Sequence, residues 1–167
     1  MEGIVILGFT GPRNGPTAIQ KLWLIKVFGK RSAYSSSVPR PDEFHHGACI
    51  GSDAAAHWFA IDAEIPLIVV HPPIITKYMM DLEIPLSQVV MVGNQTHYDV
   101  GSSHVIVLRA GPYHDRDRDI VNAADRVIST PAGEPTPHSG TWFTINYALS
   151  QHKPISLCYP GGEEDEL

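Results

Sequence analysis

The feature that most constrains the fold of this chain is a repeated unit of a short strand pattern, a turn and a helical pattern. The unit occurs at residues 4–7, 43–46 and 126–130, and a glycine follows each strand or opens the next helix. Short unbroken apolar runs are typical of strands buried on both faces of a parallel sheet. Their alternation with helices predicts an α/β fold, a Rossmann-like three-layer sandwich with a mostly parallel sheet of about five strands.

The other elements follow from the same patterns. Residues 66–71, PLIVVH, are the clearest strand because they form a continuous run rich in branched side chains. A last strand is predicted at 154–159, and helices are predicted at 16–28, 54–63, 113–121 and 140–151.

The chain is interpreted as one domain, residues 1–160, followed by an acidic tail at 161–167 that is expected to fray. Residues 74–107 fit no clear period and are interpreted as an insertion. Within it, 89–92 and 105–108 look extended, and a hairpin is one option. Residues 30–42 are interpreted as a surface loop, with a lid as the alternative.

Composition excludes several classes of protein. With 43% hydrophobic and 18% charged residues, the chain has the makeup of a soluble globular protein. A net charge of −6 makes nucleic acid an unlikely partner, since that surface needs clustered lysine and arginine. Two cysteines without a CxxC fit a reducing cytoplasm, and the amino-terminal sequence predicts neither a signal peptide nor a membrane span.

Histidines 45, 46 and 57 raise the question of a metal site. Their spacing matches no zinc site, and adjacent histidines on a strand point to opposite faces of the sheet. The sequence therefore predicts no metal and no cofactor.

Residues 139–141 are the strongest candidate for an anion site. Ser139, Gly140 and Thr141 open the last predicted helix after a proline-rich loop. The first N–H groups of a helix have no internal partner and lie at the positive end of its dipole, so they can bind phosphate without a lysine. Gly140 carries no side chain to block close approach. The alternative is an ordinary helix cap.

The turn after the first strand supplies Gly11, Arg13 and Asn14 as ligand-binding candidates. Strand, glycine-rich turn and helix is the arrangement that cradles phosphate in nucleotide-binding folds, although neither GxGxxG nor a P-loop is matched. A guanidinium beside open backbone can bind phosphate through two hydrogen bonds. The alternative for Arg13 is a solvated turn residue.

The turn after the second strand supplies Gly47, Gly51 and Asp53. Asp53 could cap the following helix, or it could accept hydrogen bonds from a ribose. The carboxyl ends of parallel strands meet at one sheet edge. All three turns are therefore expected to converge on one crevice, which favours a nucleotide-like ligand.

Three stretches, in this order and spacing, resemble the SLOG superfamily: GFTGPRNG, HHGACIGSDAAAH and YHDRDRDIVNAADRVISTPAGEPTPHSGTWFTINYA. That group of Rossmann-like domains includes the Lonely Guy cytokinin-activating proteins and the DNA-processing protein DprA. The resemblance covers most of the chain apart from residues 74–107, and it is closest to small bacterial and phage members. It implies a nucleotide or nucleotide-sugar pocket built from these loops, and it adds Arg118 and Pro131 to the ligand-binding candidates.

The chain departs from the Lonely Guy motif PGGxGTxxE. Residues 140–141 match its Gly-Thr, but Thr144 stands where the motif has glutamate, and residues 137–138 replace its two leading glycines. Cleavage of a glycosidic bond through an oxocarbenium-like state needs a carboxylate near the sugar. The obvious catalytic group is therefore missing.

The sequence therefore favours binding or sensing of a nucleotide or nucleotide-derived small molecule at a phosphate-binding crevice. One alternative is an N-glycosidic hydrolase, phosphoribohydrolase-like, acting on a nucleoside monophosphate or related nucleotide. In that version Asp53 or Asp119 is the catalytic carboxylate and Arg118 holds the phosphate. A second alternative is a protein-interaction module that uses residues 74–103, and a homo-oligomer is compatible with each of these.

Overall fold

The computed structural model describes residues 3–30 and 36–167, so the predicted loop at 30–42 lies partly outside the described residues. Within these ranges there are four α-helices of 11 residues each: α1 (Ala18–Phe28), α2 (Ser52–Asp62), α3 (Tyr113–Ala123) and α4 (Gly140–Ser150). No helix in these ranges has the length and apolar character that crossing a membrane requires.

The described residues form nine strands: β1 (Ile6–Thr10), β2 (Glu43–His46), β3 (Leu67–Val70), β4 (Val90–Val92), β5 (Gln95–Val100), β6 (Ser103–Val107), β7 (Arg126–Ser129), β8 (Ile155–Cys158) and β9 (Glu164–Glu166). They form one sheet in the order β4-β5-β6-β3-β2-β1-β7-β8-β9. The six strands from β6 to β8 are parallel, and the three outer strands pair antiparallel. The predicted Rossmann-like α/β fold is confirmed, with a larger and partly antiparallel sheet.

Two layers of helices cover the sheet. Helices α1 and α2 pack over a core that includes Leu24, Phe28 and Ala56, while α3 and α4 pack over a second core that includes Val121 and Ile145. All five of these side chains are fully buried. The short apolar strands are covered on both sides, which explains why they form continuous apolar runs rather than alternating ones.

Strand β1 lies at the point where the strand order reverses. From β1 the chain passes through α1 to β2 on one side, and it returns much later through α3 to β7 on the other side. The loops that leave β1 and β7 therefore diverge at the carboxyl ends of these strands. In open α/β sheets this divergence creates the crevice in which ligands bind.

The predicted insertion at 74–107 is an integral part of the sheet. Residues 89–92 and 105–108 do not pair directly as a hairpin, because the segment between them contains β5, which lies between β4 and β6 in a three-stranded meander. Met80, Leu82 and Tyr98 from this segment are buried in the main core.

The acidic tail is ordered rather than frayed. Strand β9 pairs antiparallel with β8. The Glu166 carboxylate accepts a hydrogen bond from the Arg126 guanidinium at 2.6 Å and one from the Ser156 hydroxyl at 2.8 Å. Charge alone suggested a solvated tail, but these partners and the free edge of β8 offer the acidic residues a place in the sheet.

Candidate functional site

A cleft of about 900 Å³ opens at the carboxyl ends of β1 and β2, beside the amino-terminal ends of α3 and α4. Eight of the residues predicted from the sequence line it: Gly11, Arg13, Asn14, Gly47, Asp53, Ser139, Gly140 and Thr141. The structure therefore brings the three predicted turns together at one sheet edge, which is the position expected for a ligand site in this class of fold.

One side of the cleft is the amino-terminal end of α4. The Ser139 hydroxyl accepts the Trp142 N–H at 3.2 Å, so Ser139 caps the helix. Within residues 3–30 and 36–167, no group accepts the N–H of Gly140 or Thr141. A side-chain carbon at Gly140 would meet no other atom within 4 Å. Capping and anion binding are thus compatible here, because the cap uses one donor and leaves two without an acceptor in residues that line the cleft.

The turns after β1 and β2 are locked together. The Ser52 N–H donates to the Pro12 carbonyl at 3.1 Å. Gly51 has a φ of +84°, in the region that favours glycine, and it packs against the Arg13 main chain. A side-chain carbon at Gly11 would lie 2.8 Å from the Ser52 hydroxyl, so these turns leave no room for larger residues. Gly51 does not line the cleft itself, and its contribution is to hold this close approach.

Arg116, in the first turns of α3, forms the charged floor of the cleft. It is 6% exposed, and its guanidinium donates to the carbonyl of Gly47, to that of His71 at 3.2 Å and to the Cys49 sulfur at 3.2 Å. The Arg116 Nε has no partner among the described residues. A buried cation with incomplete hydrogen bonding favours anionic groups in the space beside it.

Asp53 lies beside this cation at the start of α2. Its carboxylate accepts the Cys49 N–H at 3.0 Å, and the side chain is 5% exposed. Burial raises the pKa of Asp53 from 3.8 to about 7, against the opposing effects of the Cys49 N–H and the Arg116 charge. A carboxyl group in a cleft with a pKa near neutrality is a candidate proton donor or acceptor.

The cleft contains a second buried carboxyl group, that of Asp117, which the sequence analysis did not predict. Burial raises the pKa of Asp117 to about 6, although Arg116 opposes that rise. The Asp117 carboxylate lies 3.8 Å from the Arg116 guanidinium. The nearby Thr144 hydroxyl, which donates to the Gly140 carbonyl at 2.9 Å, also opposes the rise in the pKa of Asp117. Thr144 stands at the position of the Lonely Guy glutamate, so this carboxylate lies close to where that motif carries its own.

Arg13 lies at the exposed mouth of the cleft. Its guanidinium carbon is 3.9 Å from the centre of the Tyr78 ring and 5.6 Å from that of Tyr113. These aromatic contacts orient the cation without neutralising it. Arg13 therefore keeps its hydrogen-bond donors available at the mouth.

Besides Gly51, three predicted site residues do not line the cleft: Arg118, Asp119 and Pro131. Arg118 pairs with Asp115 at 3.3 Å on the half-exposed side of α3, and Asp119 is exposed. Pro131 is buried, and its carbonyl accepts the Gln20 side-chain amide at 2.9 Å. Ligand contacts by Arg118 and Pro131, and a catalytic role for Asp119, stay predictions.

The sequence contained a signal for Arg116 and Asp117. Ile120 and Val121 mark the buried face of α3, and residues 116 and 117 lie four positions earlier. In a helix this spacing places them on the same face as the two apolar residues. Counting the helical period would have favoured Arg116 over Arg118.

The adjacent histidines do point to opposite faces, as predicted. His45 Nδ1 lies 2.8 Å from His71 Nε2 on one face of the sheet, and His46 Nε2 lies 2.8 Å from His57 Nδ1 on the other. Burial lowers the pKa of all four imidazoles. The pairs are neutral and hydrogen-bonded, and the described residues contain no group of three or more side chains placed to hold a metal ion.

Neither a protein-family model nor a curated protein sequence matches this chain. The fold is similar to the solved structure of the molybdenum cofactor binding protein from the phototrophic bacterium Rippkaea orientalis. The two match over 95% of this chain and 78% of that one, with a TM-score of 0.59 and 18% sequence identity. At this identity the likeness supports the Rossmann-like α/β fold, while membership of the SLOG superfamily stays a prediction from the sequence.

Proposed function

We propose that the protein binds a phosphorylated heteroaromatic small molecule of the nucleotide type in this cleft. The observation that carries the proposal is the amino-terminal end of α4, where the N–H groups of Gly140 and Thr141 have no acceptor among the described residues and both residues line the cleft. A phosphate there gains hydrogen bonds and the helix dipole. Arg13 adds a positive charge at the mouth of the cleft.

The ring of such a ligand would lie toward the floor of the cleft. The strands β7 and β2 that lead to the two sides are separated by β1 alone, so the span is about 10 Å. That distance suits a ligand with a phosphate at one end and a ring at the other. Asp53 and Arg116 then offer an acceptor and a positive charge to the ring.

The molybdenum cofactor, which the structurally similar Rippkaea orientalis protein binds, is a second candidate ligand. This cofactor is a phosphorylated pterin, so the α4 N–H groups fit its phosphate and Asp53 fits the donors of its ring. The described residues offer no cluster of metal ligands, so they would hold the organic part. The molybdenum would supply any redox chemistry.

A second candidate function, N-glycosidic hydrolysis, is favoured by one observation. Asp53 and Asp117 are carboxyl groups in the cleft whose pKa values are raised to about 7 and about 6. In that reaction one carboxyl group protonates the leaving base while a carboxylate stabilises the developing positive charge. Asp119, the other carboxylate predicted from the sequence, lies outside the cleft lining.

The proposal is tested by Gly140→Val with titration calorimetry against nucleoside monophosphates. The branched side chain should abolish binding because it fills the space in front of the free N–H groups. Gly133→Val is the matched control, since Gly133 lies in the same loop with nothing within 4 Å and does not line the cleft. Unchanged affinity in a folded Gly140→Val variant would reduce the α4 terminus to a helix cap.

Mass spectrometry of small molecules released from the purified protein would distinguish the ligands, since nucleotides and pterins differ in mass. Chromatography of the protein incubated with nucleoside monophosphates tests for turnover. Released base that disappears in Asp53→Asn would establish the hydrolase and assign the catalytic carboxyl. A ligand that stabilises the protein against melting without released base supports binding alone.

A further inference from the structure

Helix α1 is apolar on both of its faces. Its inner face is buried in the core through Trp23, Leu24, Val27 and Phe28. On the outer face, Ile19, Leu22 and Ile25 are 48%, 60% and 44% exposed. Their spacing of three places them on one side of the helix, and we call them the α1 patch. A helix that is apolar all round is normally covered on both sides.

The α1 patch lies beside the turn between β8 and β9. The Thr17 hydroxyl donates to the Pro160 carbonyl at 3.1 Å, and a side-chain carbon at Gly162 would come within 2.8 Å of Ile19. The apolar surface of α1 is therefore continuous with the last hairpin of the chain. That hairpin carries Glu163 and Asp165, both exposed.

The charges around the patch have both signs. Lys21 and Lys26 lie on α1 itself and are exposed, while the acidic residues lie on the hairpin at one end. Among the described residues, neither lysine pairs with a carboxylate, and neither Glu163 nor Asp165 pairs with a cation. An apolar stripe between unpaired groups of opposite sign is self-complementary.

We propose that the α1 patch is the contact surface between two copies of this chain in solution. In an antiparallel twofold arrangement the apolar stripe of one copy covers that of the other. Lys26, near the carboxyl-terminal end of α1 in each copy, then faces the acidic hairpin beside the amino-terminal end of α1 in its partner. A partner with a single sign of charge would be repelled at one end of this surface, whereas a second copy in this arrangement meets an opposite charge at both ends.

The opposite end of the sheet has an exposed apolar surface too, but no charges there indicate which partner would cover it. Leu86, Val90, Met91 and Val92 are 54% to 86% exposed there. Residues 84–96 contain no charged side chain that could favour one occupant over another. This surface therefore supplies the control.

The experiment is size-exclusion chromatography with light scattering over a range of protein concentrations. We expect a mass of twice 18.3 kDa for the wild-type protein and a halved mass for Leu22→Glu. Met91→Glu places the same charge at an equally exposed apolar position and should leave the dimer mass unchanged. Lys26→Glu should weaken the dimer by about ten-fold or more in Kd, since each lost charge pair becomes a like-charge contact.

Leu22 is exposed, so its replacement should not disturb folding, and circular dichroism would verify this. Ile25→Lys provides an independent second variant with the same expected loss of mass. A wild-type protein that is monomeric at every concentration would overturn the proposal, as would dissociation by Met91→Glu but not by Leu22→Glu.

Discussion

The two sides of the cleft are built in opposite ways. On the α4 side, Gly140 and Thr141 present free N–H groups at a surface with open space in front of it. On the β2 side, Gly47, Asp53 and Arg116 are packed so closely that a single added carbon has no room. Substitutions on the α4 side can thus alter ligand contacts without affecting the fold. Substitutions on the β2 side are expected to affect stability.

The largest effect should come from removing the buried cation. Arg116→Met leaves the carbonyls of Gly47 and His71 without a donor, and it leaves Asp53 without a counter-charge. We expect a loss of about 3 kcal/mol in the free energy of unfolding, measured by denaturant titration. This loss is at the low end of the usual range for breaking a buried ion pair, because Asp53 and Asp117 can become neutral by binding protons.

Arg118→Met is the control in the same helix, since that side chain is half-exposed and pairs with Asp115 at the surface. Its cost should stay below about 0.5 kcal/mol. If the two arginine variants lose equal free energy of unfolding, then substitutions on the β2 side are no more destabilising than substitutions at the surface of α3.

The second effect is a pH-dependent gain in the stability of the Asp53→Asn variant. The pKa of Asp53 is about 7 in the folded protein and 3.8 without burial, so the folded state holds a proton that the unfolded chain releases. The stability contributed by that proton is present below about pH 4 and is lost as pH rises through about 7. Asp53→Asn should therefore be more stable than wild type at pH 8, by on the order of 1 to 3 kcal/mol.

Thermal melts of wild type and Asp53→Asn from pH 4 to pH 8 would check this. The stability of the wild-type protein should fall more steeply over the window, and Asp117→Asn should remove a smaller part of the slope below pH 6. Asp119→Asn, at an exposed position, is the control. A gap between wild type and Asp53→Asn that does not vary with pH would contradict the assignment.

The third effect contrasts the two glycines directly. A side-chain carbon at Gly47 would lie 2.9 Å from the Arg116 guanidinium carbon and 3.1 Å from the Asp53 carboxylate. Gly47→Ala should therefore lower the free energy of unfolding by about 1 to 3 kcal/mol, whereas Gly140→Ala should leave it within about 0.5 kcal/mol. If both variants have the melting temperature of the wild-type protein, the β2 side is less crowded than its geometry implies.

The smallest effect concerns the mouth of the cleft. Arg13→Ala should weaken binding of a nucleoside monophosphate about ten-fold, the loss of one charge-assisted hydrogen bond, without changing stability. Calorimetry on Arg13→Ala and Arg118→Ala in parallel would decide which arginine contacts the ligand. A loss confined to Arg118→Ala would support the sequence-based prediction for Arg118 and contradict that for Arg13.

The sequence was informative wherever local patterns decide the structure. Apolar runs such as 66–71 located the strands, and glycine-bearing turns located the sheet edge that carries the cleft. Both depend on interactions among neighbouring residues, because burial on two faces and tight turns leave a direct imprint on composition.

The sequence was less informative where distant parts of the chain meet. The place of β5 between β4 and β6 depends on register, and the order of β9 depends on Arg126 and the edge of β8. The helical period favours Arg116 over Arg118 as the buried arginine, but it does not reveal the contacts of Arg116 with the carbonyls of Gly47 and His71. Long-range pairing of this kind leaves no local pattern.

The central place of β1 between β2 and β7 also has a consequence for synthesis on the ribosome. The two sides of the cleft, at Asp53 and Ser139, are about 86 residues apart in the chain. At 5 to 20 residues per second, roughly 4 to 17 s separate their appearance. During that interval β1 can pair with β2 but not with β7, which leaves one edge of the nascent sheet without hydrogen-bond partners. A ligand that needs both sides of the cleft can stabilise only the nearly finished domain, so the early chain must be protected by other means.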